Sequence, residues 1–219
     1  MFTKRLDRIQ PSATLAMTAK AAELRSQGVD VLNFSVGEPD FNTPQNIIDA
    51  AKKAMDQGYT KYTPGSGIKE LREAVCKKIK RDNNLDYNID NVVVSCGGKH
   101  SLYNACQVLF EHGDEVIIFS PYWVSFPDFV SITGAKPIFV NTLSDRQYEP
   151  DFNDLESKIT KKTKGIIINS PSNPTGASYT KKEIVKLSKI LAKHKRIHIL
   201  SDDIYEHISY EKSKYFTIA

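Results

Sequence analysis

The sequence predicts an α/β fold built on a mainly parallel, doubly wound sheet. Two observations predict it: short apolar runs typical of buried strands alternate with helical segments from residue 92 onwards, and polar or glycine-rich loops follow several of those runs. The clearest unit is Lys164–Tyr205, where two apolar runs flank a helical segment. Parallel strands joined by such a crossover have their carboxyl ends side by side, which is where open α/β sheets bind ligands. We therefore expect a site at that edge.

The first third of the chain is predicted to be mostly helical. Residues 1–14 are polar and are interpreted as an arm, and a segment of good helix formers, Met17–Gln27, ends at Gly28, a residue typical of helix C-caps. The run Val29–Ser35 predicts a short strand. Two further helices are predicted at residues 43–57 and 68–82.

The rest of the chain alternates regularly between strands and helices. The predicted strands are Val92–Ser95, Glu115–Ser120, Lys136–Val140, Lys164–Asn169 and Ile197–Leu200. The predicted helices are Lys99–Glu111, Val124–Thr133, Phe152–Ile159 and Lys181–His194. This order is typical of a parallel sheet with helices on its faces.

Composition excludes several classes of protein. With 40% hydrophobic and 26% charged residues, the 219-residue chain has the composition of a globular protein rather than a disordered one. The net charge of +4 is spread along the chain, and basic stretches such as Lys77–Arg81 lie on predicted helix surfaces without interleaved aromatic residues, so no nucleic-acid partner is expected. No run reaches the roughly 18 apolar residues of a membrane span, so no membrane partner is expected either.

The cysteines and histidines give no sign of a metal site. Three cysteines, an odd number without C-x-x-C spacing, argue against a disulfide framework or a zinc site and favour a reducing compartment. His194 and His198 are four residues apart but straddle a predicted helix end and a strand start, so they would not share a helical face. The N-terminus lacks the apolar core of a signal peptide. We predict no bound metal and a cytoplasmic location.

A glycine pair at a strand-to-helix junction is a candidate phosphate site. Gly97 and Gly98 allow close approach of the backbone to a ligand, free amides at a helix start attract a phosphate, and Lys99 adds a positive charge. The spacing excludes a P-loop, and no G-x-G-x-x-G fingerprint is present. The alternative interpretation of the glycine pair is a plain tight turn.

Four more candidates follow predicted strands. Trp123, the only tryptophan, is either a core aromatic residue or a ring that stacks on a planar ligand. Asn173 precedes Pro174, which holds its backbone extended, although Asn-Pro is also a common turn former. Asp202 ends an apolar strand, where a carboxylate is costly unless it meets a cation or a donor, such as a protonated pyridine nitrogen. Tyr205 adds a phenol at the same edge.

Together these motifs resemble the fold-type I pyridoxal-phosphate (PLP) aminotransferases of class I/II, and in particular the bacterial aspartate and aspartate/prephenate aminotransferases of subgroup Ib. Seven pieces occur in the family's order: Pro11–Thr14, Gly37–Phe41, Lys61–Thr63, Gly97–Lys99, Ser120–Trp123, Asn169–Gly176 and Ser201–Tyr205. The resemblance implies a PLP-dependent transferase-like large domain with a mainly parallel sheet, incomplete at the C-terminus. Residues 1–42 would be the N-terminal arm and the start of the small domain, and residues 43–219 the PLP-binding large domain.

The resemblance implies how the cofactor's phosphate is held. Gly97, Gly98 and Lys99 would line a phosphate cup, mostly through backbone amides. Tyr62 would reach the phosphate of the neighbouring subunit, which implies a homodimer with shared active sites.

The resemblance also implies contacts to the cofactor's ring. Trp123 would stack on the pyridine, Asp202 would pair with its nitrogen, and Asn173 and Tyr205 would hydrogen-bond its oxygen.

The substrates implied by the resemblance are an amino acid and a 2-oxo acid. Gly37, Trp123 and Asn173 would contact the amino acid. Thr14 and Lys99 match positions that favour acidic substrates in this subgroup, so aspartate is preferred, with glutamate and prephenate as a further pair.

The sequence departs from the family pattern in three places. His100 stands where the subgroup usually has Gln, and Asp203 where Glu is common. The family's Schiff-base lysine follows the Asp-x-x-Tyr strand by some tens of residues, and the sequence ends at Ala219 before that point. Ser213-Lys214 imitates the motif but lacks its context, so we predict no catalytic residue in this chain and little transamination by it alone.

Three interpretations of function stay open at this point. The first is an aminotransferase of which this is the N-terminal portion. The second is a non-catalytic module of the same fold that binds PLP or an amino acid. The third is another fold-type I reaction such as a β-lyase, against which Thr14 and Lys99 argue.

Overall fold

The computed structural model describes residues 2–9, 11–35, 37–208, 210 and 215–219. It divides into two compact units, one formed by Met1–Gln10 with Lys69–Ala219 and the other by Pro11–Ile68. We call them the sheet unit and the helical unit. The boundaries between these units, after Gln10 and after Ile68, do not coincide with residue 42. The assignment of residues 1–42 and 43–219 to a small and a large domain stays a prediction.

The helical unit contains two helices that local sequence signals define. Helix α1, Ala13–Ser26, begins after Ser12, whose Oγ accepts a hydrogen bond from the Leu15 amide at 3.3 Å. It ends just before Gly28, which has a φ of 81° that favours glycine. Helix α2 spans Gln45–Asp56. Both helices were predicted from the sequence.

The strand predicted at Val29–Ser35 is wrong. These residues form no strand, and Leu32 and Phe34 are exposed. The apolar run satisfies the pattern of a strand, but a strand also needs a neighbour with which to exchange backbone hydrogen bonds. None lies beside this segment in the described part of the helical unit.

The sheet unit is built on five strands. They are β1 (Glu115–Ser120), β2 (Lys136–Leu143), β3 (Glu149–Pro150), β4 (Thr163–Asn169) and β5 (His198–Asp202). Their order is β3-β2-β1-β4-β5, with β3 antiparallel to β2 and every other pairing parallel. The mainly parallel sheet is therefore confirmed. The strand predicted at Val92–Ser95 is wrong, because no strand of the described chain pairs with it.

Helices cover both faces of this sheet. They are α4 (Gly98–Leu109), α5 (Ser125–Ser131), α6 (Phe152–Lys158) and α7 (Lys181–Leu191); helix α3 (Lys69–Asn83) precedes them in the sheet unit and has no buried residue. Along β1, Ile117 and Phe119 belong to a core cluster with α6 and α7, whereas Val116 and Ile118 belong to a cluster with α4 and α5. This alternation follows the two-residue period of a strand. It confirms the predicted doubly wound arrangement.

Candidate active site

The carboxyl ends of β4 and β5 carry the candidate site of the sheet unit. Asn169 is paired with Asp202 in the parallel ladder. The side-chain amide of Asn169 donates to the Asp202 carbonyl oxygen at 3.0 Å, and its Oδ1 accepts from the Asn173 backbone amide at 2.8 Å. The structure thus brings two of the predicted site residues, Asn173 and Asp202, to one edge of the sheet. Sequence reasoning assigned no role to Asn169, although its place as the last residue of a strand and the first of a loop was a usable signal.

Asp202 is a half-buried carboxylate at the end of β5. Its Oδ1 accepts one hydrogen bond, from the Ile204 amide at 3.3 Å. Burial raises the pKa of Asp202, the Ile204 hydrogen bond opposes that shift, and the adjacent charge of Asp203 adds to it. No ion pair joins Asp202 to a lysine, arginine or histidine within the described ranges. The carboxylate is therefore suited to receive a cation from outside the chain, such as a protonated ring nitrogen.

The first turn of α4 presents free backbone amides. Gly97 caps this helix with a φ of 85°, which favours glycine, and supplies no side-chain acceptor. The amides of Gly98 and Lys99 have no acceptor among the residues that the structure describes. A Cβ built on Gly98 would meet only open space, so an anion has room to approach. The Cys96 amide donates to His100 Nδ1 at 3.3 Å and closes the loop on the other side.

Trp123 connects the core to this exposed helix start. Its ring packs edge-on against Phe126 and Phe129, with centroids 5.4 and 5.8 Å away. The ring is only partly buried, and Lys99 Nζ lies 5.0 Å from its centroid. Trp123 thus packs against a core cluster and also keeps an accessible surface beside Lys99.

Tyr205 lies in the turn that follows β5. Its carbonyl oxygen accepts from the Ile208 amide at 2.8 Å, and the next residue, Glu206, forms an ion pair with Lys78 of α3. The side chain of Tyr205 is partly buried. Helix α3 therefore helps to fix the turn that carries this phenol.

The remaining predicted site residues lie in the helical unit. Thr14 is in the first turn of α1, where its carbonyl oxygen accepts from Thr18 Oγ1 at 2.9 Å, and Gly37 and Tyr62 are exposed. Their assignment to the site stays a prediction. Ser213-Lys214 lies outside the described residues.

The described residues give no sign of a metal centre or a membrane span. No group of three or more histidine, cysteine, aspartate or glutamate side chains among them could hold a metal ion. Within the same ranges, no helix has both the length and the apolar content needed to cross a bilayer.

Comparison with known proteins identifies the family. The sequence profile of the family "Aminotransferase class I and II" matches residues 29–219. The chain belongs to this family of aminotransferases. The aspartate aminotransferase of Bacillus sp. (strain YM-2) is 48% identical over 219 residues, which are 100% of this chain and 56% of that protein. The probable aspartate/prephenate aminotransferase of Rickettsia conorii is 47% identical and is covered to 55% of its length.

Solved structures of the family share this fold. An aspartate aminotransferase from Thermus thermophilus with maleate matches with a TM-score of 0.95 and 43% identity, covering 100% of this chain and 56% of that one. An alanine aminotransferase from Pyrococcus furiosus matches with a TM-score of 0.94 and 30% identity, again covering 100% and 56%. The chain spans about half the length of the curated relatives it matches.

Aminotransferases of class I and II use pyridoxal 5'-phosphate, and residues of the sheet unit fit it. The open amides at the start of α4 suit its phosphate. The carboxylate of Asp202, which forms no ion pair in the described part of the chain, suits its ring nitrogen. The start of α4 thus suits the phosphate end of the cofactor, and the carboxylate of Asp202 suits its ring end.

Proposed function

We propose that this chain holds PLP at the carboxyl edge of its sheet and takes part in transamination between an acidic amino acid and a 2-oxo acid. The observation that carries the proposal is Asp202, a half-buried carboxylate that has no cationic partner among the described residues and is paired across the ladder with the strand leading to Asn173. We include in the proposal a homodimer in which Tyr62 serves the partner's site, and a cytoplasmic location.

The phosphate would lie at the first turn of α4. There the amides of Gly98 and Lys99 would donate hydrogen bonds to it, and the partial positive charge of the helix start would attract it. Gly97 permits this geometry because its φ of 85° is strained for other residues. The ammonium of Lys99 adds a full positive charge at the same place.

The ring would be gripped at its nitrogen, its oxygen and its face. Asp202 would keep the ring nitrogen protonated, Asn173 and Tyr205 would donate hydrogen bonds to the ring oxygen, and Trp123 would stack on the ring. When bound, the protonated cofactor supplies an electron sink for the bond broken at the substrate's α-carbon. The chain's own residues therefore position the cofactor and set its charge.

The preference for an acidic substrate rests on Lys99 and Thr14. The Lys99 ammonium is exposed beside Trp123, where it can meet a second carboxylate on the substrate. Maleate, with which the Thermus thermophilus relative was solved, is a dicarboxylate. Because an alanine aminotransferase has the same fold, the preference is assigned to these side chains rather than to the fold.

Titration with pyridoxamine 5'-phosphate (PMP) tests the cofactor assignment. PMP has no aldehyde and does not label surface lysines, and Trp123 is the only tryptophan, so its fluorescence reports binding at one place. We expect saturable quenching, with the affinity lowered at least tenfold in Asp202→Ala because the ring nitrogen loses its counter-charge. Asp145→Ala, an exposed aspartate in the 3-10 helix Ser144–Arg146, is the control that should bind normally. No saturable quenching, or equal affinity of the two variants, would contradict the assignment.

Turnover tests the reaction itself. In a protein of the relatives' full length, of which this chain spans about half, we expect aspartate and a 2-oxo acid to be consumed in preference to aromatic or branched amino acids, and Asp202→Ala to lose most of this activity. PMP binding without turnover would favour the non-catalytic binding module instead.

A further inference from the structure

The side chain of Asn169 forms two hydrogen bonds between predicted site residues. It is the last residue of β4, it is partly buried, and it uses both ends of its side-chain amide within the site. The nitrogen donates to the Asp202 carbonyl oxygen at 3.0 Å, and the oxygen accepts from the Asn173 amide at 2.8 Å. Both distances are normal for strong neutral hydrogen bonds.

The loop after β4 is otherwise held mainly to itself. The Ser172 amide donates to the Ala177 carbonyl oxygen and the Gly176 amide to the Ser172 carbonyl oxygen, each at 2.8 Å. A second anchor lies further along, where the Tyr179 amide donates to Ser170 Oγ at 2.8 Å. Among the hydrogen bonds of the described chain, the one from Asn173 to Asn169 therefore fixes the position of Asn173 relative to the strand.

We propose that Asn169 is a positioning residue that sets Asn173 and Asp202 at a fixed separation, so that an amide and a carboxylate meet one pyridine ring together. The inference rests on the proposed cofactor site, and it adds a residue that does not itself touch the cofactor. An asparagine suits this task because one planar group offers a donor and an acceptor in opposite directions. Serine or alanine cannot span both contacts, and aspartate offers only acceptors when it is ionised.

Three substitutions distinguish the effects of the two Asn169 hydrogen bonds from each other and from a general loss of stability. Asn169→Ala removes both hydrogen bonds. Asn169→Asp keeps the acceptor for the Asn173 amide but loses the donor to the Asp202 carbonyl oxygen. Ser170→Ala is the matched control, because it removes a hydrogen bond from the same loop without touching Asn173 or Asp202.

Two measurements are made on each variant of the whole chain. The first is hydrogen exchange at the Asn173 amide, followed by NMR without any cofactor. The second is the affinity for PMP, followed by Trp123 fluorescence, together with the affinity for inorganic phosphate obtained by competition.

We expect Asn169→Ala to lose protection at the Asn173 amide and to bind PMP about tenfold more weakly, which corresponds to ~1.4 kcal/mol. Its affinity for inorganic phosphate should not change, because the start of α4 is left intact. Asn169→Asp should keep the amide protected and still bind PMP more weakly. Ser170→Ala should bind PMP within about twofold of the unmodified chain.

Two results would overturn the proposal. One is an Asn169→Ala variant that keeps both Asn173 protection and PMP affinity. The other is an equal loss of PMP and phosphate affinity, which indicates general destabilisation. If the unmodified chain does not bind PMP, the proposed function fails, and the Asn173 exchange rate alone decides whether Asn169 positions that residue.

Discussion

The helical unit and the sheet unit differ in how far their apolar side chains are buried. In the described part of Pro11–Ile68, Ala21 is the single hydrophobic residue that is buried. The exposed large apolar residues of this unit are Leu15, Met17, Val29, Leu32, Phe34, Phe41, Ile47, Met55, Tyr59, Tyr62 and Ile68. The sheet unit instead has two core clusters, one on each face of its sheet.

This difference shows that secondary structure and a core have separate origins. Helix formers specify α1 and α2, with a Ser12 cap at the start of α1, although both helices bury almost nothing within their unit. The sheet exists because strands distant in sequence pair and are covered by helices, which buries whole rows of isoleucine and valine. Stability measured through Trp123, which lies in the sheet unit, should therefore respond to the two units very differently.

The largest contrast is expected from the same substitution made in each unit. Leu155 of α6 is 0% exposed and Leu32 is 83% exposed. Leu155→Ala should lower the free energy of unfolding by about 2–5 kcal/mol, because it leaves a cavity. Leu32→Ala should change it by less than about 0.5 kcal/mol. Denaturant unfolding followed by Trp123 fluorescence measures both, and equal losses would show that the comparison is wrong.

The next largest contrast in stability is expected from replacing a glycine by alanine in each unit. A Cβ on Gly165 of β4 would collide with the buried ring of Phe110, so Gly165→Ala should destabilise by about 1–3 kcal/mol. Gly65 has open space around it and an ordinary φ, so Gly65→Ala should be neutral or stabilise by up to about 1 kcal/mol. Thermal unfolding of the two variants decides this, and a stable Gly165→Ala protein would mean that β4 is less tightly packed.

Helix caps give a smaller contrast. Thr180 forms a capping box with Glu183 at the start of α7, which packs on the sheet. Thr180→Ala should lower stability by about 1 kcal/mol. Ser12→Ala removes the corresponding cap of α1, yet the Trp123 transition should not shift, because α1 adds little to the core. Circular dichroism would detect local loss of helix in that variant, and a shifted Trp123 transition would argue against the distinction.

The smallest effect concerns the edge of the sheet rather than its core. Burial raises the pKa of Asp202, so the folded protein binds more protons than the unfolded chain between the ordinary and the raised value. Stability should therefore fall as pH rises through that window. Asp202→Asn should remove this fall and be slightly more stable above it, by less than about 1 kcal/mol because water still screens the carboxylate.

The exposed control for this prediction is Asp145→Asn, which should keep the pH dependence of the unmodified chain. Urea unfolding of the cofactor-free protein at several pH values measures both variants. A gain in stability together with loss of PMP binding would mark Asp202 as a residue kept for function. An unchanged pH profile in Asp202→Asn would show that its carboxylate is well solvated.

How much was predictable differs between elements. Four of the six predicted strands and all seven predicted helices are present, since their signals are local: apolar runs bounded by turn residues, caps such as Ser12, and stops such as Gly28. The short strand β3 was not predicted, because two residues are too few to show the alternation of apolar and polar residues that indicates a strand. Val29–Ser35 and Val92–Ser95 have the pattern of strands but no neighbour, and a single segment's sequence does not reveal whether it has a partner.

For the site, the sequence by itself determined which chemical groups are available: the glycine pair, Lys99, Trp123, Asn173, Asp202 and Tyr205. It also determined that Trp123, Asn173 and Tyr205 follow strands, because the alternation of apolar runs and loops is local. Tertiary structure alone decided that Asn169 joins Asn173 to Asp202 and that Lys99 lies over Trp123. The contact between Asn169 and Asp202 depends on strand order and register, which arise from long-range pairing and shared burial.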